Sequence, residues 1–177
     1  LFDKTILREK GPYAKCNPPM RSRDNVDALW EYVFDGTIDT LGSDHGPYAD
    51  QEKVKHGNFF KEYSGFGGYD AMLAGMLTEG VHKRGLPLER LAALTSGNPA
   101  RVMGLAPRKG ALLPGADADI AVVNLDAEWV FDGTKSLSKT KSSHNIYHGS
   151  HLKGKVEQTW VRGELIYDHG TIKAARG

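Results

Sequence analysis

Apolar residues recur at helical spacing from Ser22 onward. Val26, Leu29, Trp30, Val33 and Phe34 follow a polar "RSRDN" stretch, and Asp35-Gly36 supplies a stop. The spacing predicts an amphipathic helix of about three turns. "TIDTLGSD" then reads as a short buried strand ending at Asp44, and residues 13–16 read as a strand before the helix. Strand, loop, helix and strand in that order predict parallel β/α units. Residues 45–67 are polar, contain glycine and run longer than most connections in compact domains, which predicts a functional loop. The carboxyl ends of parallel strands are where β/α proteins place their sites. A second helix is predicted with Tyr69, Met72, Leu73, Met76, Leu77 and Val81 on one face. A third starts at Pro87 and runs to Leu94, with a short helix over "NPARVMG" after it.

Near Arg108 the pattern changes. "KGALLPGADADIAVVNLDAEWVF" is a series of short β-branched runs broken by Pro-Gly and Asp, and "KVEQTWVRGELIYDHG" reads as two strands around Arg162-Gly163. Between them lies a polar, irregular stretch rich in Ser, Lys and His. No internal repeat and no low-complexity tract interrupts the chain.

Composition narrows the function classes. A chain of 177 residues accommodates one ordinary domain, or a small domain and part of another. Forty per cent apolar residues, 25 per cent charged residues and a net charge of +1 show no basic excess for nucleic acid and no acidic tail. The longest apolar run is far short of the roughly 20 residues of a membrane span. The amino terminus lacks a signal-peptide pattern, and the single cysteine, Cys16, excludes an internal disulfide. The expectation is a cytoplasmic protein with neither membrane nor nucleic-acid partners. The chain begins at Leu1, as a processed protein or a piece of a longer one would.

Candidate chemistry concentrates in "TLGSDHGPY". Asp44 stands where a strand runs out into a long loop, and a carboxylate there can bind a divalent metal and shuttle protons, the two tasks of a metal-dependent hydrolase. It can equally close an Asx-type turn with His45 on the surface. Of seven histidines, only His144 and His148 show His-x3-His spacing, with His151 three residues further on, in the irregular stretch. A zinc site there and a hydrated loop are both open. In "KCNPPMRS", Asn17 precedes a Pro-Pro pair that bars helix and can hold its amide rigidly for a polar ligand. Cys16 is a nucleophile or a buried thiol, and Arg21 grips a ligand carboxylate or a loop carbonyl. "SGFGGYD" is Gly-rich and opens a helix, so its amides can meet a polar or anionic ligand, though it lacks the full dinucleotide and phosphate-loop signatures.

Taken in order, "KCNPPMRSRDNVDALWEYVFDGTIDTLGSDHGPY", "GNFFKEYSGFGGYDAML", "LTSGNPARVMGLAPRKGALLPGADADIAVVNLD" and "VEQTWVRGELIYDHG" resemble the carboxyl-terminal part of the cyclic amidohydrolases, the group of dihydroorotase, allantoinase, dihydropyrimidinase and hydantoinase. The resemblance covers nearly the whole chain. It implies an α/β fold: the last β/α units of a metal-dependent (β/α)8 TIM barrel over 1–107, then the C-terminal half of a small β-sandwich over 108–177. It implies hydrolysis of a cyclic amide bond at a centre of one or two divalent ions, usually zinc. Asp44 matches the metal ligand and general acid/base, while Asn17, Ser64 and Gly65 match groups around the ring substrate. The remaining metal ligands of the family lie upstream of anything present here. A complete barrel needs roughly 250 residues, so the resemblance implies a missing N-terminal portion or companion chain, a homo-oligomeric assembly in that family's manner, and an inactive fragment alone. Tyr48 stands where dihydroorotases often carry His, "GNFFKEYSGFGG" is similar to allantoinase, and Asn17 is similar to dihydroorotase, so the ring substrate stays open. The rival expectation is a non-catalytic, amidohydrolase-like scaffold or partner-binding subunit, because half a barrel leaves strand edges to be covered.

Overall fold

The computed structural model describes residues 1–173, which form two compact units interleaved along the chain. The first comprises Leu1–Asp35, Ser43–Gly75 and Trp129–Leu152. The second comprises Gly36–Gly42, Met76–Glu128 and the described residues from Lys153 onward.

Helices α1 (Ile6–Lys10), α2 (Arg23–Asp35) and α3 (Asp50–Lys53) belong to the first unit, together with nearly all of α4 (Tyr69–Met76). Helix α2 forms where the apolar spacing predicts it. Of that apolar face only Trp30 is buried, whereas Leu29 is 53% exposed and Phe34 41%. The core is built elsewhere, from two clusters. One joins Ile6, Ala14 and Ile146; the other joins Ala71, Ala74, Phe131 and Leu152. Tyr147 packs against both, with its ring roughly edge-on to Phe2, Phe66 and Phe131 at centroid distances of 5.2, 6.4 and 6.1 Å. Burial, reinforced by the Asp70 charge, pushes the Tyr147 hydroxyl up to about 12. Gly68 makes this packing possible, because a Cβ there would stand 3.1 Å from the Tyr147 ring.

The strands expected at 13–16 and 37–44 do not form. Gly11–Ala14 is a 3-10 turn. Residues 37–44 carry no strand pairing and are exposed or half-buried, not buried. A strand exists by virtue of a neighbour that takes its N–H and C=O groups, and within the second unit those of 36–42 are taken by helices instead. Arg90 donates to the Ile38 carbonyl at 2.5 Å, Asn98 to that of Asp39 at 2.7 Å, and the Leu41 N–H to that of Leu94 at 3.0 Å. In the first unit the strand end survives only as an isolated parallel bridge between His45 and Phe66, where the Gly46 N–H donates to the Phe66 carbonyl at 3.2 Å.

In the second unit, the helix begun by α4 continues through a π-helical turn over Leu77–His82. Helix α5 (Leu88–Ala92), a second π-helical turn over Ala93–Gly97 and α6 (Asn98–Val102) follow. Thr78 fastens the first of these turns to the chain at Lys153: its hydroxyl donates to the Lys153 carbonyl at 3.2 Å and accepts the Lys153 N–H at 2.8 Å. An open four-stranded sheet contains β1 (Ile120–Val130), β2 (His151–Val161), β3 (Glu164–Asp168) and β4 (Thr171–Ile172), in that spatial order. The β2–β3 and β3–β4 pairs are antiparallel, with a register shift at Thr159/Trp160. The Arg162-Gly163 turn read from the sequence is present, both residues having positive φ (51° and 81°), as the tight hairpin turn that matches strand twist requires. No helix among the described residues is long and apolar enough to cross a membrane.

One carboxylate on this sheet gives a pH test. Asp168 faces Gln158 across the β2–β3 ladder and accepts from its amide at 3.1 Å; His169 Nδ1 lies 2.8 Å away and Lys173 Nζ 3.3 Å. These partners, His169 first, hold its pKa at about 2, against 3.8 unperturbed. The folded value is the lower one, so the contribution is fully present above 3.8 and is lost as pH falls toward 2. In denaturant titrations, Asp168→Asn should show a shallower loss of stability over that window than the native chain.

Candidate active site

Asp44 and His45 part company. His45 is structural: its Nδ1 accepts the Gly68 N–H at 3.1 Å and lies 3.5 Å from the Tyr69 amide, satisfying donors at the start of α4, while its ring stands edge-on to Tyr69 at 4.5 Å. An accepting Nδ1 places the neutral ring's proton on Nε2. Asp44 has φ 44°, the left-handed region that Asp and Asn tolerate better than most residues. It is exposed, and its carboxylate has no hydrogen-bond or ion-pair partner among the described residues.

The loop from Ala49 to Gly67 has one short helix, α3, and otherwise no regular structure, so its backbone polar groups must find other partners. Three charged side chains provide them. Lys53, 3% exposed, directs its ammonium to the carbonyls of Lys15 (3.1 Å), Tyr63 (2.8 Å) and Gly65, with the Tyr48 ring 5.8 Å away. Lys15 donates to the carbonyls of Phe59 (2.9 Å), Phe60 (3.0 Å) and Glu62 (2.6 Å). The buried Glu62 carboxylate accepts the amides of His56 (2.9 Å) and Asn58 (3.3 Å), and these hydrogen bonds outweigh its burial and hold its pKa below the usual carboxylate value. Burial lowers the Lys53 ammonium to about 8, with the Lys15 charge adding to the effect and Cys16 and Glu62 opposing it.

This framework brings two of the sequence candidates together. Asn17 Nδ2 donates to Ser64 Oγ at 3.1 Å. The Gly65 N–H donates to the Lys15 carbonyl at 2.9 Å, and the Tyr63 and Gly65 carbonyls are held by Lys53. Both neighbours of Ser64 are therefore pinned, while the Ser64 main-chain N–H and C=O have no partner among the described residues. Such a fixed donor and acceptor on one residue can meet the complementary C=O and N–H of an amide. Gly65 is also a steric requirement: with φ 128°, a Cβ there would stand 2.8 Å from the Gly46 carbonyl oxygen. The segment following Asp44 and the loop carrying Ser64 thus approach backbone to backbone.

The other candidates take different roles. Three amides of "SGFGGYD", those of Gly65, Gly68 and Tyr69, are directed to Lys15 and His45, so the stretch does not present its amides as one set to an anion. Cys16 is half-buried, its Sγ lies 3.4 Å from the Pro18 carbonyl, and burial raises its pKa, the reverse of an activated thiol. Arg21 is exposed, and its carbonyl accepts the Lys4 N–H at 2.7 Å. The histidines of the irregular stretch separate. His144 pairs with Asp50 at 3.1 Å and stacks on Tyr13, whereas His148 Nδ1 accepts the Gly133 N–H at 3.1 Å. Among the described residues no three His, Cys, Asp or Glu side chains come together as a metal site. One carboxylate, Asp44, does not hold a metal ion by itself. A small cleft of about 30 Å³, lined by Tyr13, Asp50, Lys53, Gly65 and His144 among others, includes none of Asp44, Asn17 and Ser64. Lys15 and Glu62 lie inside motifs quoted above but carried no signal of their own there, and Lys53 lies outside every such motif.

A profile of the amidohydrolase family matches residues 3–166. The chain belongs to the amidohydrolase family. It is similar to an allantoinase of Solibacter usitatus (37% identity over 176 residues, 99% of this chain and 38% of the relative). It is similar also to an L-hydantoinase of Paenarthrobacter aurescens (37%, 94% and 36%) and a dihydroorotase of Elusimicrobium minutum (39%, 90% and 35%). Among solved structures, it superimposes on an L-hydantoinase (dihydropyrimidinase) from Arthrobacter aurescens with a TM-score of 0.92 at 34% identity, covering 98% of this chain and 38% of that one. A D-hydantoinase (dihydropyrimidinase) from Thermus sp. gives 0.90 at 26% identity, covering 99% and 39%. The chain therefore spans well under half the length of these amidohydrolases.

Gly65→Ala tests the geometry without reference to activity. The added methyl meets the Gly46 carbonyl in a backbone conformation unfavourable to alanine, so the substitution should lower stability by about 1–3 kcal/mol. Equilibrium denaturation measures this directly; an unchanged midpoint would contradict the close approach.

Proposed function

We propose that the full-length protein containing this chain hydrolyses a cyclic amide bond, opening an allantoin-, hydantoin-, dihydropyrimidine- or dihydroorotate-type ring, and that these residues are its C-terminal part. The observation that carries the reading is the Ser64 main-chain pair, unpaired yet fixed on both sides, in the same unit as the unpartnered Asp44 carboxylate. Residues 1–107 would complete a TIM barrel and 108–177 a β-sandwich. The full assembly would be a cytoplasmic homo-oligomer.

In this reading the ring C=O accepts from the Ser64 N–H, the ring N–H donates to the Ser64 C=O, and Asn17 braces Ser64 through its hydroxyl. Asp44 takes a proton from the water whose oxygen attacks the ring carbonyl carbon. As the C–N bond breaks, Asp44 returns that proton to the departing nitrogen, leaving a carboxylic acid and an N–H group. A metal centre, zinc in the family's usual manner, would need its other ligands from outside these residues, with Asp44 as the ligand contributed here. Asp44 suits the role because its side chain is committed to nothing else.

The test is turnover of allantoin, hydantoin, dihydrouracil and dihydroorotate by the full-length protein, before and after chelation, with Asp44→Asn beside it. Asn tolerates the left-handed backbone and keeps the shape, so the fold should survive while kcat falls by about 10²–10⁴-fold. Turnover of one ring that is lost on chelation and in the variant is the expected result. No turnover of any ring by a folded, metal-supplemented protein would replace the enzyme reading with the scaffold one.

A further inference from the structure

We propose that Lys53 is a positioning residue for substrate recognition, its ammonium tying the main chain on both sides of Ser64 to the main chain two residues before Asn17. The inference rests on the reading of Ser64 and Asn17 as substrate groups. Its basis is geometric. The carbonyls of Tyr63 and Gly65 flank Ser64, and both converge with the Lys15 carbonyl on one buried nitrogen. Three acceptors match the three N–H donors of a charged lysine. The neutral amine has only two, so it must release one carbonyl. Each of the three lies next to, or two residues from, a group proposed to touch the ring. Lys53 itself touches no reacting atom.

The titratable groups around this nitrogen are Lys15, Cys16 and Glu62, whose charges bear on it, the Tyr48 ring, and Tyr13, Asp50 and His144, which line the same cleft. With the ammonium at about 8, the third donor is lost as pH rises through that value. The sign for global stability is opposite. The unfolded lysine titrates at 10.5, so between 8 and 10.5 the unfolded chain holds the extra proton and this group stabilises the fold as pH rises. A recognition loop that loosens while this group's contribution to global stability increases separates positioning from a merely structural role.

The experiment has two readouts on the full-length protein, KM and kcat for the ring it opens, and hydrogen exchange of the Gly65 amide referenced to the Leu41 amide, which donates to Leu94 within the second unit. In the native protein, KM and relative Gly65 exchange should rise together through a pH of about 8 while kcat holds. Lys53→Met should raise KM by about tenfold or more, change kcat by less than about threefold, and abolish the pH step. The native pH titration needs no substitution, so a variant that fails to fold does not stop the test. Flat KM and flat Gly65 exchange across that pH range overturn the proposal. If Gly65 exchange responds but no cyclic amide is turned over, the enzymatic reading fails and the lysine tie stands.

Discussion

A backbone without regular secondary structure must still find partners for its N–H and C=O groups, and the architecture of this candidate site follows from that constraint. The loop after Asp44 meets it with charge. Lys15 and Lys53 gather six carbonyls between them, and Glu62 gathers amides. An exposed hydroxyl or amide side chain would exchange such contacts with water at little net gain, whereas charged donors and acceptors make the stronger hydrogen bonds. A stretch that sequence alone renders as a long polar connection therefore becomes a fixed frame. Ser64 sits within it with its own main-chain groups left over.

The same frame explains why the two members of the Asp-His pair diverge. His45 is consumed by the start of α4, and this anchors the bridge to Phe66 and the approach of Gly46 to Gly65. Asp44, one residue earlier in a left-handed conformation, is left uncommitted. Local structure thus assigns one residue to architecture and leaves its neighbour available for chemistry. The relatives this chain matches are more than twice as long.

Much of the fold was legible because its signals are local. The apolar spacing of α2 and the Arg162-Gly163 turn depend on a few consecutive residues, and both are present. The family resemblance was legible because several motifs occur in the right order. The strand at 37–44 was misread for a physical reason: apolar and β-branched residues favour a strand, but a strand requires partners, and here Arg90, Leu94 and Asn98 take its polar groups instead. The exposed face of α2 shows the same limitation, since its periodicity marks a surface suited to burial without supplying what buries it. Lys53 and Glu62 were invisible because charged residues in "DQEKVKHGNFFKEY" look solvated until the loop's folding brings them inside. Asn17 and Ser64 are 47 residues apart in two different motifs, so only the family resemblance, which sets both around the ring substrate, and no local pattern, could pair them beforehand.

We propose that Asp44 contributes to a metal-dependent centre completed by residues outside this chain. Native mass spectrometry of the full-length protein, compared with its Asp44→Asn variant, tests this most directly, because one spectrum reports subunit composition and bound metal together. The expected result is one or two zinc-sized ions per subunit in the native protein and fewer in the variant, with the same assembly in both. A protein that carries no metal after zinc loading, or a variant that retains the full complement, would contradict it.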